Sequence, residues 1–199
     1  MKVASERIAR TLGRTLVAPV MAYVPEGDIN PASGHMTKAG TISIPPEVFH
    51  LLIEHTARSL NAHGFTDILL IGDSGPNQPV MEQVAKQLNQ EWRDGPTRIH
   101  FVSEWYAAVT RFSEEVLIPR GETKETIGIH AGMNDTALSM AMAPQDVRAN
   151  IMTPGRGMVI DGVSGDPTRA TYAIGLEAYD FMFKAAVTQI RELMLSSWR

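Results

Sequence analysis

The sequence contains no cysteine. Thiolate catalysis and cysteine-based zinc or iron–sulfur sites are therefore excluded, while the redox compartment is left open. A basic block is also absent, since 18 Lys and Arg stand against 22 Asp and Glu for a formal charge of −4. Nucleic acid and anionic membranes are therefore not expected partners. No apolar run approaches the roughly 18–20 residues of a membrane span, and the start lacks the pattern of a signal peptide. We expect a cytoplasmic protein, unless a leader that directs it to the periplasm or outside has been removed.

Strands and helices alternate along the chain, and 199 residues suffice for one well-filled core. The clearest unit begins with an apolar run, Ile68 to Ile71, and the polar turn Gly72 to Gly75. Apolar residues then recur at helical spacing from Pro79. Such alternation with short turns is typical of a parallel sheet covered by helices. We therefore predict one domain, residues 1–199, of the α/β class: a three-layer α/β/α sandwich with a mostly parallel sheet.

Capping residues, prolines and apolar spacing predict the other elements. Ser5 is a candidate N-cap for a first helix. The proline pair before Glu47 is typical of a helix start, and Gly64 is the expected stop of that helix. The predicted strands cover residues 16–24, 97–103 and a stretch from 127 that ends at His130; the predicted helices cover residues 5–12, 45–62, 105–112, 135–143 and 169–194.

The turn after the central strand is the strongest candidate for a functional site. In open α/β sheets, ligands bind at the carboxyl ends of the strands. Ser74 lies on this tight strand-to-helix turn, where its hydroxyl would be exposed. The backbone N–H groups at Gly75 and at the start of the next helix could stabilise an oxyanion. A long loop, residues 25–40, is also expected to be functional or disordered, because it has no periodicity.

Four separated blocks resemble the creatininase (creatinine amidohydrolase) family in content, order and rough spacing. They are Ala39–Phe49, Gly72–Asn77, His130–Leu138 and Gly162–Thr171, and the likeness runs from about Val17 to the C-terminus. The resemblance implies an α/β/α fold and metal-dependent hydrolysis of a C–N bond in a cyclic or linear amide. It also implies a homo-oligomer, commonly a hexamer.

The family's metal-ligand motifs are altered in this sequence. After the Pro-x-Gly segment at residues 25–27, Asn30 stands where the family has Glu and Ala32 where it has His. The helix that carries the family's bridging Asp is deleted. Ser74 occupies the position of a metal-binding His, and Asp135 replaces a Glu. Zinc or manganese needs about three or four ligands per ion, so the resemblance retains only one clear ligand, Asp135.

We therefore predict no metal cofactor; a zinc or manganese ion in a rebuilt site is the alternative. The predicted function is hydrolysis of an amide, lactam or ester bond of a small molecule. Ser74 would attack or position water, His130 would move the proton, and an aspartate would orient the histidine. The predicted catalytic residues are Ser74, His130, Asp73 and Asp135, and the predicted substrate-binding residues are Asp28, Asn30, His35, Gly75 and Asn77.

Other interpretations of the same residues stay open. His and Asp could transfer protons in a metal-independent lyase or isomerase, or the chain could be an inactive homologue that binds a metabolite or supports an assembly. Asp73 and Ser74 could cap the following helix. His130 could be a hydrogen-bonded structural residue, and Asp135 a first-turn acid favoured by the helix dipole.

Overall fold

The computed structural model describes residues 1–196. The chain divides into two compact units, Met1–Trp105 with Ala186–Arg199, and Tyr106–Ala185. Within the described residues no helix is long and apolar enough to cross a membrane. The α-helices are α1 (Lys2–Leu12), α2 (Pro46–Ala62), α3 (Asn77–Glu91), α4 (Glu104–Phe112), α5 (Lys124–Ile127), α6 (Met133–Met142) and α7 (Tyr172–Ser196), and the strands are β1 (Asp67–Leu70) and β2 (Arg98–Phe101).

A parallel strand pair forms the centre of the first unit. β1 and β2 pair in parallel, with Ile68 opposite Ile99, and α3 provides the crossover between them. The side chain of Asn89 on α3 secures β2, because its amide donates to the Ile99 carbonyl at 2.7 Å and accepts the Ile99 N–H at 2.8 Å. This short parallel sheet with its helices agrees with the predicted α/β class, and the predicted strand–turn–helix unit is confirmed.

The core of the first unit lies where α2 and α3 pack with the strands. Phe49, Ile53 and Ala57 recur every four residues on α2, so that one stripe of the helix is buried. Ile68 and Ile99 contribute from the two strands, and the remaining buried members come from α3: Val80, Met81, Val84, Ala85 and Leu88. This packing fixes the start of α3 relative to the end of β1, which is where the candidate site lies.

The sequence prediction is wrong for two elements of the first unit. The predicted strand at residues 16–24 is absent from the assigned elements, and its side chains are largely exposed, with Leu16 at 76% and Tyr23 at 59%. Apolar composition alone does not supply the hydrogen-bonding neighbour that a strand requires. The helix predicted from Ser5 begins earlier, with Met1 as its N-cap, and the Ser5 N–H donates to the Met1 carbonyl.

The second unit contains α5, α6 and most of α7. The predicted strand that ends at His130 is wrong, because a reciprocal capping box between Thr123 and Thr126 starts α5 instead. His130 then forms only an isolated bridge with Ser164. The backbone at Gly128 lies directly against the backbone at Ser164. A Cβ atom on Gly128 would lie 1.6 Å from the Ser164 carbonyl oxygen, so only glycine fits at this position.

An ion pair also holds the second unit together. Arg169 donates two hydrogen bonds to Glu122, at 2.8 and 2.6 Å. These bonds hold the pKa of the Glu122 carboxyl below its ordinary value. Because the Arg169 side chain is 48% exposed, solvent screening keeps the stabilisation by this pair modest.

Candidate functional site

Ser74 lies on the turn between β1 and α3, as the sequence predicted. Its hydroxyl donates a hydrogen bond to Glu26 Oε1 at 3.0 Å. The alternative in which Ser74 caps the helix is wrong, because α3 follows Pro76 without any side-chain cap. The Ser74 carbonyl, rather than its hydroxyl, accepts from the Asn77 N–H and from Gln78 Nε2. The Ser74 side chain therefore points to a carboxylate, with its backbone fixed by the first turn of the helix.

Glu26 belongs to the long loop at residues 25–40, which folds back on itself. The Glu26 N–H donates to the hydroxyl of Ser43 at 2.9 Å, and that hydroxyl donates to the Gly27 carbonyl at 2.7 Å. Ser43 is only 7% exposed. The Glu26 carbonyl accepts the His35 N–H at 2.9 Å. The backbone of Glu26 is thus fixed by Ser43 on one side and by His35 on the other.

A hydroxyl, a carboxylate and an imidazole form one continuous hydrogen-bonded line. Glu26 Oε2 lies 2.6 Å from His35 Nδ1, while Oε1 accepts from Ser74. The Glu26 side chain is 18% exposed and that of His35 is 36% exposed. A carboxylate that accepts from a serine hydroxyl can take its proton during nucleophilic attack, and the imidazole fixes the other carboxylate oxygen in place.

A cavity of about 420 Å³ lies beside this line, within the first unit. Its walls are mostly apolar and come from α1, α2, α3, β1 and most of the segment at residues 15–24. Its polar edge includes Glu26, Asp73, Ser74 and Asn77. Small-molecule pockets combine this size with a few fixed polar groups in an apolar lining. The residues that supply apolar walls include Ile8, Phe49, Ile53, Ala57, Ile68 and Met81.

Asn77 is the polar residue buried most deeply at this edge. It is only 5% exposed, and within the described part of the chain its Oδ1 atom has no hydrogen-bond partner. Buried side-chain acceptors in folded proteins are normally satisfied. This oxygen is closed to solvent and to the cavity alike, so Asn77 is a buried structural residue of the first turn of α3.

The remaining predicted residues of the first unit have other environments. The Asp28 carboxylate accepts from the hydroxyl of Ser33 at 2.8 Å within its own loop. Asn30 is exposed. Asp73, by contrast, also lines the cavity; its side chain is 60% exposed, and its carboxylate lies 4.0 Å from the N-terminal amino group of Met1. The Gly75 carbonyl accepts from the Gln78 N–H. Roles for these residues in substrate binding or catalysis stay predictions.

His130 and Asp135 belong to the second unit. The His130 carbonyl accepts the Ser164 N–H at 2.8 Å. Asp135 accepts the Ala131 N–H at 2.9 Å, and Ala131 has a φ of 49°, which a non-glycine residue rarely adopts. Asp135 therefore stabilises this corner at the start of α6. The joint action of His130 and Asp135 with Ser74 stays a prediction.

Sequence analysis missed Glu26 and Ser43. Glu26 is the variable residue of the Pro-x-Gly segment, where only the following residues were considered as ligands. An acidic residue between a proline and a glycine in a long loop was a usable signal. Ser43 gave no comparable signal, because a serine in a short extended segment is common and its partners lie 16 and 17 residues away.

Across residues 1–196, no three His, Asp or Glu side chains come together in a way that could hold an ion. Glu26 and His35 are two potential metal ligands near the cavity, but the atoms that would bind a metal contact each other instead. Zinc needs about three or four ligands, so this pair is an incomplete donor set. Action without a metal stays a prediction.

Comparisons with known proteins agree with this fold. No curated protein matches the chain. Among solved structures, a mutant creatininase of the Zn-Zn type aligns with a TM-score of 0.75 at 18% identity, covering 96% of this chain and 80% of its own. A crystal structure of creatinine amidohydrolase (creatininase) gives 0.66 at 20%, covering 97% and 79%. A creatininase with Mn gives 0.68 at 18%, again covering 97% and 79%.

These structural likenesses confirm the α/β fold. Because the sequence identities are so low, no conclusion beyond the fold is drawn from them. The sequence model of the family described as creatininase, creatinine amidohydrolase, matches residues 2–190. That match covers nearly the whole length of the 199-residue chain. This protein therefore belongs to the creatininase (creatinine amidohydrolase) family.

Proposed function

We propose that this protein hydrolyses an amide, lactam or ester bond of a small molecule, without the two-metal centre of its family. Family membership indicates amidohydrolase activity. One observation supports the metal-free form of that activity: the Ser74 hydroxyl donates to a largely buried carboxylate at the edge of an apolar cavity. The serine stands where the family has a metal-binding histidine, so a nucleophile has replaced a ligand.

In this mechanism Ser74 Oγ attacks the carbonyl carbon of the substrate, and its proton passes to Glu26 Oε1. The tetrahedral intermediate then expels the amine or alcohol, which takes that proton from Glu26. Water attacks the resulting acyl-serine ester and gives a proton to Glu26, which returns it to Ser74 as the acid product leaves. Atoms and protons therefore balance over one cycle, and the roles are those of nucleophile and general base.

His35 acts in this proposal as a positioning residue. Its Nδ1 atom contacts the Glu26 oxygen that does not contact Ser74, so that the carboxylate keeps one oxygen directed at the serine. The backbone N–H of Gly75 would stabilise the oxyanion, because the N–H groups of Asn77 and Gln78 at the start of α3 donate to the Ser74 and Gly75 carbonyls. Proton transfer by His130 stays a prediction, and Glu26 replaces it in this mechanism as the acceptor in contact with Ser74.

The test is turnover of a panel of small lactams, linear amides and esters by purified protein. Ser74→Ala and Glu26→Gln should each lower kcat by at least about a hundredfold, the usual scale for a general base or a nucleophile. Ser59→Ala is the matched control, because the Ser59 hydroxyl donates only to the His55 carbonyl of its own helix. Turnover that survives Ser74→Ala would overturn the serine mechanism.

Metal dependence is measured on the same protein. We expect less than about a tenth of an equivalent of zinc or manganese by mass spectrometry, and unchanged turnover after dialysis against a chelator. Solved relatives include a Zn-Zn form and a form with Mn, so the comparison is meaningful. Loss of turnover on chelation, with recovery on adding zinc or manganese, would refute the metal-free proposal.

The other sequence-based alternatives stay predictions. A lyase or isomerase would convert a substrate without consuming water, which incorporation of ¹⁸O from labelled water into the product distinguishes. An inactive metabolite-binding homologue would show ligand-induced thermal stabilisation without product. The homo-oligomer implied by the resemblance is also a prediction, which light scattering after size exclusion measures.

A further inference from the structure

We propose that Gln78 is a positioning residue of the candidate site, and that it orients the Gly75 N–H for the oxyanion that would form when Ser74 attacks. This inference rests on the proposed function, because it concerns stabilisation of the same tetrahedral intermediate. It gives a task to a side chain that is not part of the cavity lining. The task is to fix the backbone of the turn between β1 and α3.

The Gln78 side chain holds two carbonyl groups of this turn at once. Its Nε2 atom donates to the Ser74 carbonyl at 2.9 Å and to the Gly72 carbonyl at 3.2 Å. One amide group therefore spans the turn from the end of β1 to the proposed nucleophile. The backbone of Gln78 is fixed as well, because its N–H donates to the Gly75 carbonyl at 3.1 Å.

The geometry of the peptide bond transmits these contacts to the Gly75 N–H. A trans peptide unit is planar, so its N–H and C=O groups point in opposite directions. The Ser74 carbonyl and the Gly75 N–H belong to one such unit. Because this carbonyl accepts from Gln78 Nε2 and from the Asn77 N–H, the Gly75 N–H points away from the first turn of α3. Among the described residues, the Gly75 N–H has no hydrogen-bond partner.

The Gln78 amide carries a cost in polar burial. Its Oε1 atom is buried and lacks a hydrogen-bond partner in the part of the chain that the structure describes. Folded proteins seldom leave a buried polar atom unpaired, and a leucine or methionine would fill a similar volume without that cost. The donor end of the side chain is therefore the part that the turn requires.

An oriented N–H beside the nucleophile is what acyl transfer needs. When Ser74 Oγ adds to a carbonyl carbon, the carbonyl oxygen becomes negatively charged. The N–H of the residue after the nucleophile is a common donor to that oxygen. A donor that is oriented in advance stabilises the charge without having to reorganise during the reaction. Gln78 provides that orientation without touching the reacting atoms.

The experiment compares hydrolysis with the binding of phenylboronic acid, whose boron atom can accept Ser74 Oγ. The new B–O bond makes boron tetrahedral and negatively charged, and the hydroxyl proton passes to Glu26, so the adduct mimics the intermediate without a leaving group. Gln78→Leu should lower kcat and weaken binding of the probe by about tenfold to a hundredfold, with KM within about twofold of its original value. Gln83→Leu is the matched control and should change neither, because Gln83 is an exposed amide on the same helix.

Two kinds of result would overturn the role of Gln78. Equal kcat and equal probe affinity in Gln78→Leu and the unaltered protein, even with a fall in Tm, would make the residue merely structural. In the unaltered protein, NMR should show slower solvent exchange for the side-chain amide protons of Gln78 than for those of Gln83, and a downfield shift of the Gly75 N–H when the adduct forms. Failure to observe either would overturn the proposal even if Gln78→Leu does not fold.

The two proposals fail in different ways. Probe binding that Gln78→Leu weakens, without hydrolysis of any compound in the panel, would refute the proposed function and support positioning by Gln78. Hydrolysis that requires Ser74 but is unchanged in Gln78→Leu would refute the inference and leave the serine mechanism intact. A protein that forms no adduct and hydrolyses nothing would refute both.

Discussion

Replacing Ser43 with alanine should destabilise the loop that presents Glu26. The Ser43 hydroxyl makes two hydrogen bonds, accepting from the Glu26 N–H at 2.9 Å and donating to the Gly27 carbonyl at 2.7 Å. Each such bond contributes about 1 kcal/mol net, and a buried group left without a partner costs about 1–3 kcal/mol. Because Ser43 is 7% exposed, we expect a loss of about 2–3 kcal/mol in the free energy of unfolding.

The assay for Ser43→Ala combines thermal denaturation with amide hydrogen exchange. About 2–3 kcal/mol corresponds to a fall in Tm on the order of 4–12 °C for a chain of this size. Exchange at the Glu26 amide should accelerate more than exchange in α3, since the loop opens locally. Ser59→Ala is the control and should change stability by less than about 0.5 kcal/mol. An unchanged midpoint, with unchanged exchange at Glu26, would refute the reasoning.

Two further changes address the same loop and the second unit. Gly27→Ala should cost at least about 2 kcal/mol, because φ is 128° and the new Cβ would lie 2.1 Å from the Ser33 carbonyl oxygen. Gly40→Ala, at a φ of 91° with open space around it, should cost only about 1 kcal/mol, and equal losses of Tm would contradict the steric argument. Arg169→Met should destabilise by up to about 1 kcal/mol at pH 7. Since the Arg169 hydrogen bonds lower the pKa of Glu122 in the folded state, that difference should shrink as the pH falls from the ordinary carboxyl range through the lower folded-state pKa. An equal loss at pH 7 and at the most acidic pH at which both proteins still fold, measured by urea titration, would rule the ion pair out as its source.

Sequence patterns within one continuous stretch predicted the elements that are specified by that stretch. The strand at residues 67–70 and the helix after it follow directly from an apolar run, a polar turn and helical spacing. α2 begins at Pro46 and ends at Ala62, where proline and glycine mark its limits. By contrast, the apolar stretch at residues 16–24 forms no strand and is largely exposed, with Met21 and Val24 packed against the core, because strand formation depends on a neighbour that composition does not specify.

The candidate site was predictable in part. Ser74 was found because a tight turn at the end of a buried strand is recognisable in one continuous stretch of sequence. Its partner was missed because Glu26 lies 48 residues away, and the contact exists only once the loop has folded onto Ser43. The sequence predicted His130 as the proton acceptor from its expected place at the end of a neighbouring strand, whereas the acceptor in contact with Ser74 is Glu26 of the loop.

The altered motifs and the observed contacts lead to the same view of the site. A metal centre draws on several ionisable side chains that keep their oxygens and nitrogens directed at one ion. Here one carboxylate receives a hydroxyl on one oxygen and an imidazole on the other. Those two contacts orient Glu26 toward Ser74, which is the geometry that a general base needs. In the proposed function, serine at position 74 therefore supplies a nucleophile at the place where the family resemblance implies a metal ligand.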